Sequence, residues 1–267
     1  MAPVTPRDAA TVMLLRPGLG GHAETGAPAG PGLQVYMLRR RSSMAFAAGA
    51  YVFPGGSVDA SDDDAGIAWA GPDAAEWGQL LSAPAELART LVCAAVRETF
   101  EECGVLLAGP DAGTVLAAAE DEGWEEDRRQ LLAGSISLAQ LLHRRGLVLR
   151  SDLLRPWARW ITPLTEERRY DTRFFAAALP AGQIARDVSG EADETAWLAP
   201  GGALEAAGRR EIALFPPTAV TLGELRACGT VAAALTARRR MTALIPQVMV
   251  AEGAAWLTVP DSVEYPL

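Results

Sequence analysis

Several features that would assign a protein to a particular class are absent from this sequence. None of its 24 basic residues is lysine, because all are arginine, and only three cysteines occur in 267 residues. Cys93, Cys103 and Cys228 lie far apart without paired spacing, which excludes a zinc signature and predicts free thiols. No apolar run approaches the roughly 20 residues of a bilayer-spanning helix, and the amino terminus has no signal-peptide core. We therefore expect no membrane partner and a cytoplasmic location.

The balance of charge is acidic, with a net charge of −9 and an isoelectric point near 4.9. A nucleic-acid partner needs a basic surface that neutralises phosphates, so this balance argues against DNA and RNA. Small phosphorylated ligands remain open, and arginine suits them because its planar guanidinium contacts phosphate oxygens in pairs. The expected partner is therefore a small molecule.

Apolar residues make up 49% of the chain, enough for a full core, and their pattern indicates both strands and helices. Short apolar runs bounded by glycine and proline predict strands at residues 12–15, 33–38, 157–162, 173–179 and 195–198. Helical periodicity is found before Gly104 and within residues 111–146 and 218–240, and a terminal hairpin is predicted at residues 245–250 and 254–259. Because strands and helices do not strictly alternate, we predict an α+β fold in which helices cover a central mixed sheet.

One domain over residues 1–267 accommodates this pattern, with insertions at about 57–85 and 106–150 and an extension of helices and a hairpin from about 216. The first insertion follows the run Gly-Ala-Tyr-Val-Phe-Pro-Gly-Gly at residues 49–56, a short strand whose closing glycines predict a sharp turn or a close backbone approach. Asp59, Asp62, Asp63 and Asp64 lie in this insertion. We interpret it as a polar, solvated acidic loop.

The helix that ends at Gly104, with Ser82 or Thr90 as its predicted cap, has an acidic face formed by Glu98, Glu101 and Glu102. Like charges at this spacing repel by roughly 0.2–0.5 kcal/mol per pair. The helix dipole also disfavours carboxylates in the last turn, by roughly 0.3–1 kcal/mol each. A hard divalent cation such as Mg²⁺ would resolve both conflicts. From charge alone, a metal site and a solvated acidic face are equally good interpretations.

The residues around this face resemble the second half of the Nudix box, G-x5-E-x7-R-E-U-x-E-E-x-G-U, in which U is aliphatic. The matching run is Arg-Glu-Thr-Phe-Glu-Glu-Cys-Gly-Val at residues 97–105, where Thr99 replaces an aliphatic residue. Phe-Pro-Gly-Gly at residues 53–56 resembles the entry to the first half. The chain is therefore similar to Nudix hydrolases, a resemblance that implies an α/β/α sandwich and a divalent metal.

The resemblance includes a split box. Gly56 and Arg97 are 97 − 56 = 41 residues apart, whereas the family spacing is 14, so 27 residues are inserted. Counted back from Arg97, the first box glutamate falls at Arg89. We therefore expect its structural role to be vacant or to be filled by a residue such as Glu86.

Further elements along the chain resemble the peroxisomal-type coenzyme A diphosphatase branch of the Nudix family. They are Trp-Ile-Thr-Pro at 160–163, the segment 169–175, Pro-Pro-Thr at 216–218 and the residues from 259 onward. The resemblance implies hydrolysis of coenzyme A or acyl-CoA to 3′,5′-ADP and (acyl-)4′-phosphopantetheine. In a shorter pattern of coenzyme A hydrolases, Ala45 stands where an arginine is expected.

The resemblance also implies roles for individual residues. Glu98, Glu101 and Glu102, with the Gly55 carbonyl, would hold Mg²⁺, with Mn²⁺ as the alternative, and Arg97 would pair with Glu101 to hold the catalytic array. Substrate phosphates would be bound by arginines, for which we select Arg39, Arg41 and Arg173. Carboxylates outside the box that could act as the general base are Glu166, Glu167, Glu191 and Glu194.

Two other functions share this motif. A Nudix pyrophosphatase for ADP-ribose, NADH or a nucleotide sugar would use the same metal ligands with a different pocket. A Nudix-fold binding module would retain the fold without turnover, although all three acidic ligands are present. A homodimer is a further expectation, because the added helices and hairpin offer surface for it.

Overall fold

The computed structural model of the chain describes residues 4–18, 32–41, 49–119, 121–186, 192–251, 254–259 and 262–266, with side chains as far as residue 247. The strands are β1 (Arg7–Pro17), β2 (Leu33–Arg40), β3 (Ala50–Val52), β4 (Gly55–Ser57), β5 (Trp69–Ala70), β6 (Ala108–Gly109), β7 (Val148–Arg150), β8 (Leu154–Ile161), β9 (Tyr170–Ala178), β10 (Ala192–Leu198), β11 (Ala213–Leu214), β12 (Ala243–Leu244), β13 (Gln247–Ala251), β14 (Ala254–Val259) and β15 (Ser262–Pro266). The helices are α1 (Ala74–Leu81), α2 (Ala85–Cys103), α3 (Glu122–Leu132), α4 (Leu138–Arg145), α5 (Pro200–Gly208), α6 (Pro216–Cys228) and α7 (Val231–Thr236).

Within the described residues, the main sheet has nine strands. Seven follow the order β11-β3-β2-β1-β9-β8-β12, and in addition β4 pairs with β1 and β10 pairs with β2. It is mixed, because β1 is parallel to β9 and antiparallel to β2 and β4. The five strands predicted from apolar runs fall within or overlap β1, β2, β8, β9 and β10, so these predictions are confirmed.

Successive side chains of β1 point to opposite faces of the sheet and so pack into two separate core layers. Val12 and Leu14 pack into a core shared with α2, whereas Met13 and Leu15 pack into a second core shared with α6. All four side chains are fully buried, as expected for a central strand covered on both faces. The predicted arrangement of helices on both faces of a mixed sheet is therefore confirmed.

Helix α2 carries the acidic face, and its ends differ in how well they were predicted. Gly104 ends the helix in the left-handed conformation, with φ of 70°, and its N–H donates to the carbonyl of Phe100. The predicted caps are wrong, because Ser82 is the C-cap of α1 and Thr90 lies inside α2. Pro84 precedes α2 as its N-cap, and no side-chain hydrogen bond caps this end of the helix.

The segment 57–85 was predicted to be a solvated acidic loop, and that prediction is wrong in its central part. It contains a short 3-10 helix at Ala60–Asp63, then β5 and α1, and Asp62 is fully buried. Asp59 caps the 3-10 helix by accepting from the N–H of Ser61, and the N–H of Asp59 donates to Asp62. A carboxylate is buried only with partners, so the burial of Asp62 points to a specific cation.

The later segments combine predicted and unpredicted elements. Helices α3 and α4 lie in the predicted insertion but begin only at Glu122, and β5, β7 and β6 form a small separate sheet. Helices α6 and α7 and the antiparallel pair β13–β14 match predictions, whereas α5 and β15 were not predicted. Residues 252 and 253, predicted to turn the terminal hairpin, lie outside the described residues. Among the described residues, no helix is both long and apolar enough to cross a bilayer.

Candidate active site

The acidic face of α2 packs against the two glycines that begin β4. The N–H of Gly55 donates to Oε2 of Glu102 at 2.8 Å. A Cβ atom on Gly56 would lie 2.3 Å from Oε1 of Glu98, so only glycine leaves room for this carboxylate. The structure thus brings together glycines and glutamates that are far apart in the sequence, 47 residues for Gly55 and Glu102 and 98 − 56 = 42 for Gly56 and Glu98.

Arg97 lies at the centre of an ionic network that holds this face in place. Its Nε and Nη2 donate to the two carboxylate oxygens of Asp62 at 2.8 and 2.9 Å, a two-pronged pair. Its Nη1 donates to Glu98 at 2.9 Å and to Glu101 at 3.0 Å, and Nη2 also donates to the carbonyl of Ser57 at 2.9 Å. The expected contact between Arg97 and Glu101 is present, and it is one of five hydrogen bonds that the Arg97 guanidinium donates.

Asp62 occupies the position of the first glutamate in the Nudix-box pattern. It stands six residues after Gly56, which is the G-x5-E spacing, and it bonds Arg97 across 35 residues instead of the usual eight. The 27 inserted residues therefore follow Asp62, since 35 − 8 = 27. The expectation of a role left vacant or filled by Glu86 was wrong, because Asp62 bonds Arg97. Arg89, at the counted-back position, points elsewhere: its Nη2 donates to the carbonyl of Ile67 at 3.4 Å and its guanidinium lies over the ring of Trp69.

Burial shapes the electrostatics of the network. Desolvation raises the pKa of Glu101 to about 7, and the charge of Glu98 adds to this while Arg97 opposes it. Burial disfavours the charge of Arg97, yet its hydrogen bond to Asp62 and the charges of Glu98, Asp62 and Glu101 together raise its pKa. Three carboxylates, those of Asp62, Glu98 and Glu101, thus share one guanidinium, an excess of negative charge that further positive charge would relieve.

The donor set fits a hard, partly hydrated cation. Within the described residues, no three acidic, histidine or cysteine side chains form a ready cage for a metal ion. Mg²⁺ does not need such a cage, because it keeps several water ligands and binds through one or two carboxylates plus substrate phosphates. Glu98, which accepts a hydrogen bond from Arg97, and Glu102, which accepts one from the Gly55 N–H, offer carboxylate oxygens of this kind.

Arg39 and Arg41, the first two arginines selected for phosphates, lie at the end of β2 beside β10. Nη1 of Arg39 is 3.3 Å from Glu194, and Nε of Arg41 is 3.9 Å from Asp193. Both guanidiniums are about half exposed, so each pair is screened by solvent and leaves donors available for a ligand. Arg40, between them, has a buried Nε without a hydrogen-bond partner among the residues that the structure describes.

Arg173, the third selected arginine, is buried in a separate cluster on β8, β9 and β1. Its Nη1 is 2.5 Å from Asp171 and 3.9 Å from Asp8, and Asp171 also accepts two hydrogen bonds from Arg159. Desolvation lowers the pKa of Arg173 despite these carboxylates, and its Nε has no hydrogen-bond partner within the described part of the chain. Strand pairing places Arg173 beside Ala10, whose other neighbour is Gly56. Arg173 on β9 thus lies two strands from Gly56 on β4, the glycine that contacts the acidic face of α2.

The carboxylates predicted as candidates for a base are dispersed. Glu166 and Glu167 are exposed in the turn between β8 and β9, and Glu191 lies outside the described residues. Glu194 instead lies beside Arg39, and burial together with the nearby Glu194 carboxylate raises the pKa of Tyr51, which is buried in β3. Sequence reasoning missed Asp62, which counting six residues forward from Gly56 would have found.

Comparisons with known proteins agree with this geometry. A family model described as the NUDT19 Nudix domain matches residues 71–225, which are 155 of the 267 residues. The acyl-coenzyme A diphosphatase NUDT19 of Gallus gallus is 30% identical over 266 residues, covering 79% of this chain and 65% of the relative. The Homo sapiens protein of the same name is 29% identical over 226 residues, with coverages of 71% and 60%.

The chain therefore spans slightly less than two thirds of the length of these curated relatives. Among solved structures, the crystal structure of a NUDIX hydrolase from Alicyclobacillus acidocaldarius superposes with a TM-score of 0.69 at 26% identity. That superposition covers 88% of this chain and 99% of the solved one.

Proposed function

Since the chain belongs to the Nudix hydrolase family, we propose that it hydrolyses the diphosphate linkage of coenzyme A and acyl-CoA. The family and the predicted fold are confirmed by the matched family model and the superposed NUDIX hydrolase. The proposed products are 3′,5′-ADP and 4′-phosphopantetheine or its acyl derivative. The substrate proposal is supported by the relatives named acyl-coenzyme A diphosphatase. The observation that carries the chemistry is the pairing of Arg97 with Asp62, which fixes the glutamates of α2 beside Gly55 and Gly56.

Glu98, Glu101, Glu102 and the carbonyl of Gly55 are the proposed ligands of Mg²⁺, or of Mn²⁺, which would neutralise diphosphate charge and make the attacking water more acidic. Arg97 positions this array, because the same guanidinium nitrogen bonds both Glu98 and Glu101. Fixed carboxylates need not reorganise during the reaction, and such preorganisation is a main source of catalysis in phosphoryl transfer.

The substrate carries negative phosphates, and we propose that arginines outside α2 receive them. Arg39 and Arg41 are the accessible candidates, since each is about half exposed and weakly held by one carboxylate. Arg173 is buried, so its proposed contribution is positive charge two strands from Gly56, with direct contact requiring movement of Asp8 or Asp171. Paired guanidinium donors match the geometry of phosphate oxygens.

Product analysis tests the substrate. Incubation with Mg²⁺ and coenzyme A, acyl-CoA, ADP-ribose or NADH, followed by mass spectrometry, should yield 3′,5′-ADP from the first two. The matched control is the same mixture with excess EDTA, in which products should be absent. Cleavage of ADP-ribose or NADH alone would refute coenzyme A as the substrate and would support the alternative pyrophosphatase function. If no compound in the panel were cleaved, the binding-module interpretation would be favoured.

The close approach of Gly56 to Glu98 makes a second prediction. A Gly56→Ala substitution should lower turnover about 100-fold, because displacing a ligand by about 1 Å is enough for such a loss. Stability should change by less than about 1 kcal/mol, since the clash is with the end of a flexible side chain. Turnover and thermal denaturation measure the two effects.

Gly202→Ala is the matched control for Gly56→Ala. In α5, a Cβ on Gly202 meets nothing within 4 Å, and alanine favours a helix over glycine by roughly 0.5–1 kcal/mol. This variant should be as active as the parent and slightly more stable. Equal activity of the two variants would contradict the placement of Glu98.

A further inference from the structure

Helix α3 of the insertion contacts the last turn of α2. Nη1 of Arg128 donates to the carbonyl oxygen of Glu101 at 3.2 Å, and the ring of Trp124 meets that of Phe100 edge to face, with 6.1 Å between their centroids. The side chain of Arg128 is buried, so the bond that it makes is shielded from water. The insertion thus touches the turn of α2 that carries two of the proposed metal ligands.

The carbonyls at the end of α2 depend on donors from outside the helix. The last four carbonyls of an α-helix have no partner within it, and α2 ends at Cys103. The Glu101 carbonyl accepts from Arg128, 27 residues later, and the Cys103 carbonyl accepts from the backbone N–H of Arg186 at 3.2 Å. Contacts with two distant segments therefore help to fix the path of the last turn.

A shared carboxylate holds both arginines. Nε of Arg128 donates to Oε2 of Glu125 at 3.1 Å, and Nη2 of Arg186 donates to Oε1 of the same residue. Because Nε and Nη1 of Arg128 have different acceptors, its planar guanidinium bridges α3 and the end of α2. The bond to the Glu101 carbonyl is thus made by a side chain whose own position is fixed.

The charge of Arg128 also suits its position. The carbonyl end of a helix dipole is negative and favours cations, but α2 has two glutamates and no basic residue in its last turn. Arg128 brings a positive charge to this end from α3, directly at the Glu101 carbonyl. The inserted helix therefore offsets a charge conflict that α2 cannot relieve with its own last turn.

We propose, on the basis of the proposed function, that Arg128 is a positioning residue for the metal ligands of α2. Its bond to the Glu101 carbonyl and its positive charge hold the turn from which the side chains of Glu101 and Glu102 extend. Groups that hold metal ligands in place contribute roughly 10- to 100-fold to metal affinity or activity. The insertion at 106–150 is then part of the metal site as well as a cover for the core.

The next ion pair along α3 provides a matched control. Arg128 pairs with Glu125 three residues away at 3.1 Å, and the arginine side chain is 6% exposed. Arg129 pairs with Glu126 in the same way at 3.0 Å, but its side chain is 60% exposed. Arg128→Gln should weaken Mn²⁺ binding, measured by electron paramagnetic resonance, about tenfold, and Arg129→Gln should leave it unchanged. On whichever panel substrate the parent chain cleaves, Arg128→Gln should also lower kcat about tenfold at saturating Mn²⁺ while KM stays within threefold.

Further variants separate this role from general support of the fold. Arg128→Lys keeps a positive charge and a donor at the end of α2, so its Mn²⁺ affinity should lie within threefold of the parent. Trp124 and Leu131 anchor α3 in the core, and circular dichroism checks that each variant is folded. Should Arg128→Gln not fold, Glu125→Ala and Glu126→Ala supply the same comparison, because Glu125 holds Arg128. Mn²⁺ binding should weaken about fivefold in the first and stay unchanged in the second.

Several outcomes would overturn the proposal. They are a change of less than threefold in the Mn²⁺ affinity of folded Arg128→Gln, a loss of kcat without a loss of Mn²⁺ affinity, and a lysine variant as weak as the glutamine variant. Equal effects within either matched pair would also overturn it. If the parent cleaved nothing in the panel, the proposed function would be refuted, whereas the Mn²⁺ measurements would still test the role of Arg128.

Discussion

Replacing Glu102 by glutamine should lower turnover about 1000-fold without loosening the fold. Glu102 is one of the carboxylates beside the paired glycines, and removing its charge weakens the hold on a divalent cation. Metal stabilisation of transition-state charge is worth several kcal/mol, and about 4 kcal/mol corresponds to three orders of magnitude in rate. Glutamine keeps an oxygen that can accept from the Gly55 N–H, so the contact between α2 and β4 can persist.

Steady-state kinetics and Mn²⁺ binding measure this effect, and circular dichroism checks the fold. Glu126→Gln is the matched control, because Glu126 lies in α3, is about half exposed and, among the described residues, pairs only with Arg129 and Gln130. It should retain full turnover and metal affinity. A folded Glu102→Gln protein with parental kcat would mean that this face of α2 is not where the cation acts.

Replacing Arg97 by glutamine should destabilise the protein by roughly 3–5 kcal/mol, the cost of breaking a buried ion pair by removing one partner. Asp62 is fully buried, and Glu101 is 6% exposed, so both would lose their cation with no access to water. Asp62→Asn should destabilise less, because a neutral amide leaves no buried anion and Arg97 retains its glutamate partners. Urea denaturation measures these free energies of unfolding.

Arg209→Gln controls for the loss of an arginine as such. Arg209 makes a two-pronged pair with Glu211, as Arg97 does with Asp62. The side chains of Arg209 and Glu211 are, however, both more than half exposed. Exposed pairs contribute only about 0–1 kcal/mol, so this variant should be nearly as stable as the parent. Similar losses for Arg97→Gln and Arg209→Gln would show that burial does not strengthen the network.

Local patterns accounted for much of the fold. The apolar stripe of α2 and the stop at Gly104 follow from helical periodicity and from the freedom of glycine to adopt positive φ, and both were predicted. Central strands such as β1 were predictable because burial on both faces leaves an unbroken apolar run. The caps were not, because Pro84 begins α2 without the side-chain hydrogen bond that a polar cap would supply.

The candidate site was harder to predict where it depends on contacts between distant parts of the chain. The three glutamates share one helical turn, so their common face is evident from the sequence alone. Asp62 stands among three other aspartates, and only its spacing of six residues from Gly56 distinguishes it as the one that meets Arg97. The contact of Arg128 with the Glu101 carbonyl arises only from the packing of α3 against α2, which a linear pattern does not contain.

The 27 residues that separate Asp62 from Arg97 beyond the family spacing also bear on how readily such chains diversify. For a flexible segment, closing a loop of 35 residues instead of eight costs only about 1.3 kcal/mol more in chain entropy, because the cost grows with the logarithm of length. The folded elements within the insertion bury apolar side chains such as Trp77 and Leu81, which offsets part of that cost. Insertions of different lengths after Asp62 can therefore be tolerated, provided that the acidic side chain before the insertion still contacts Arg97.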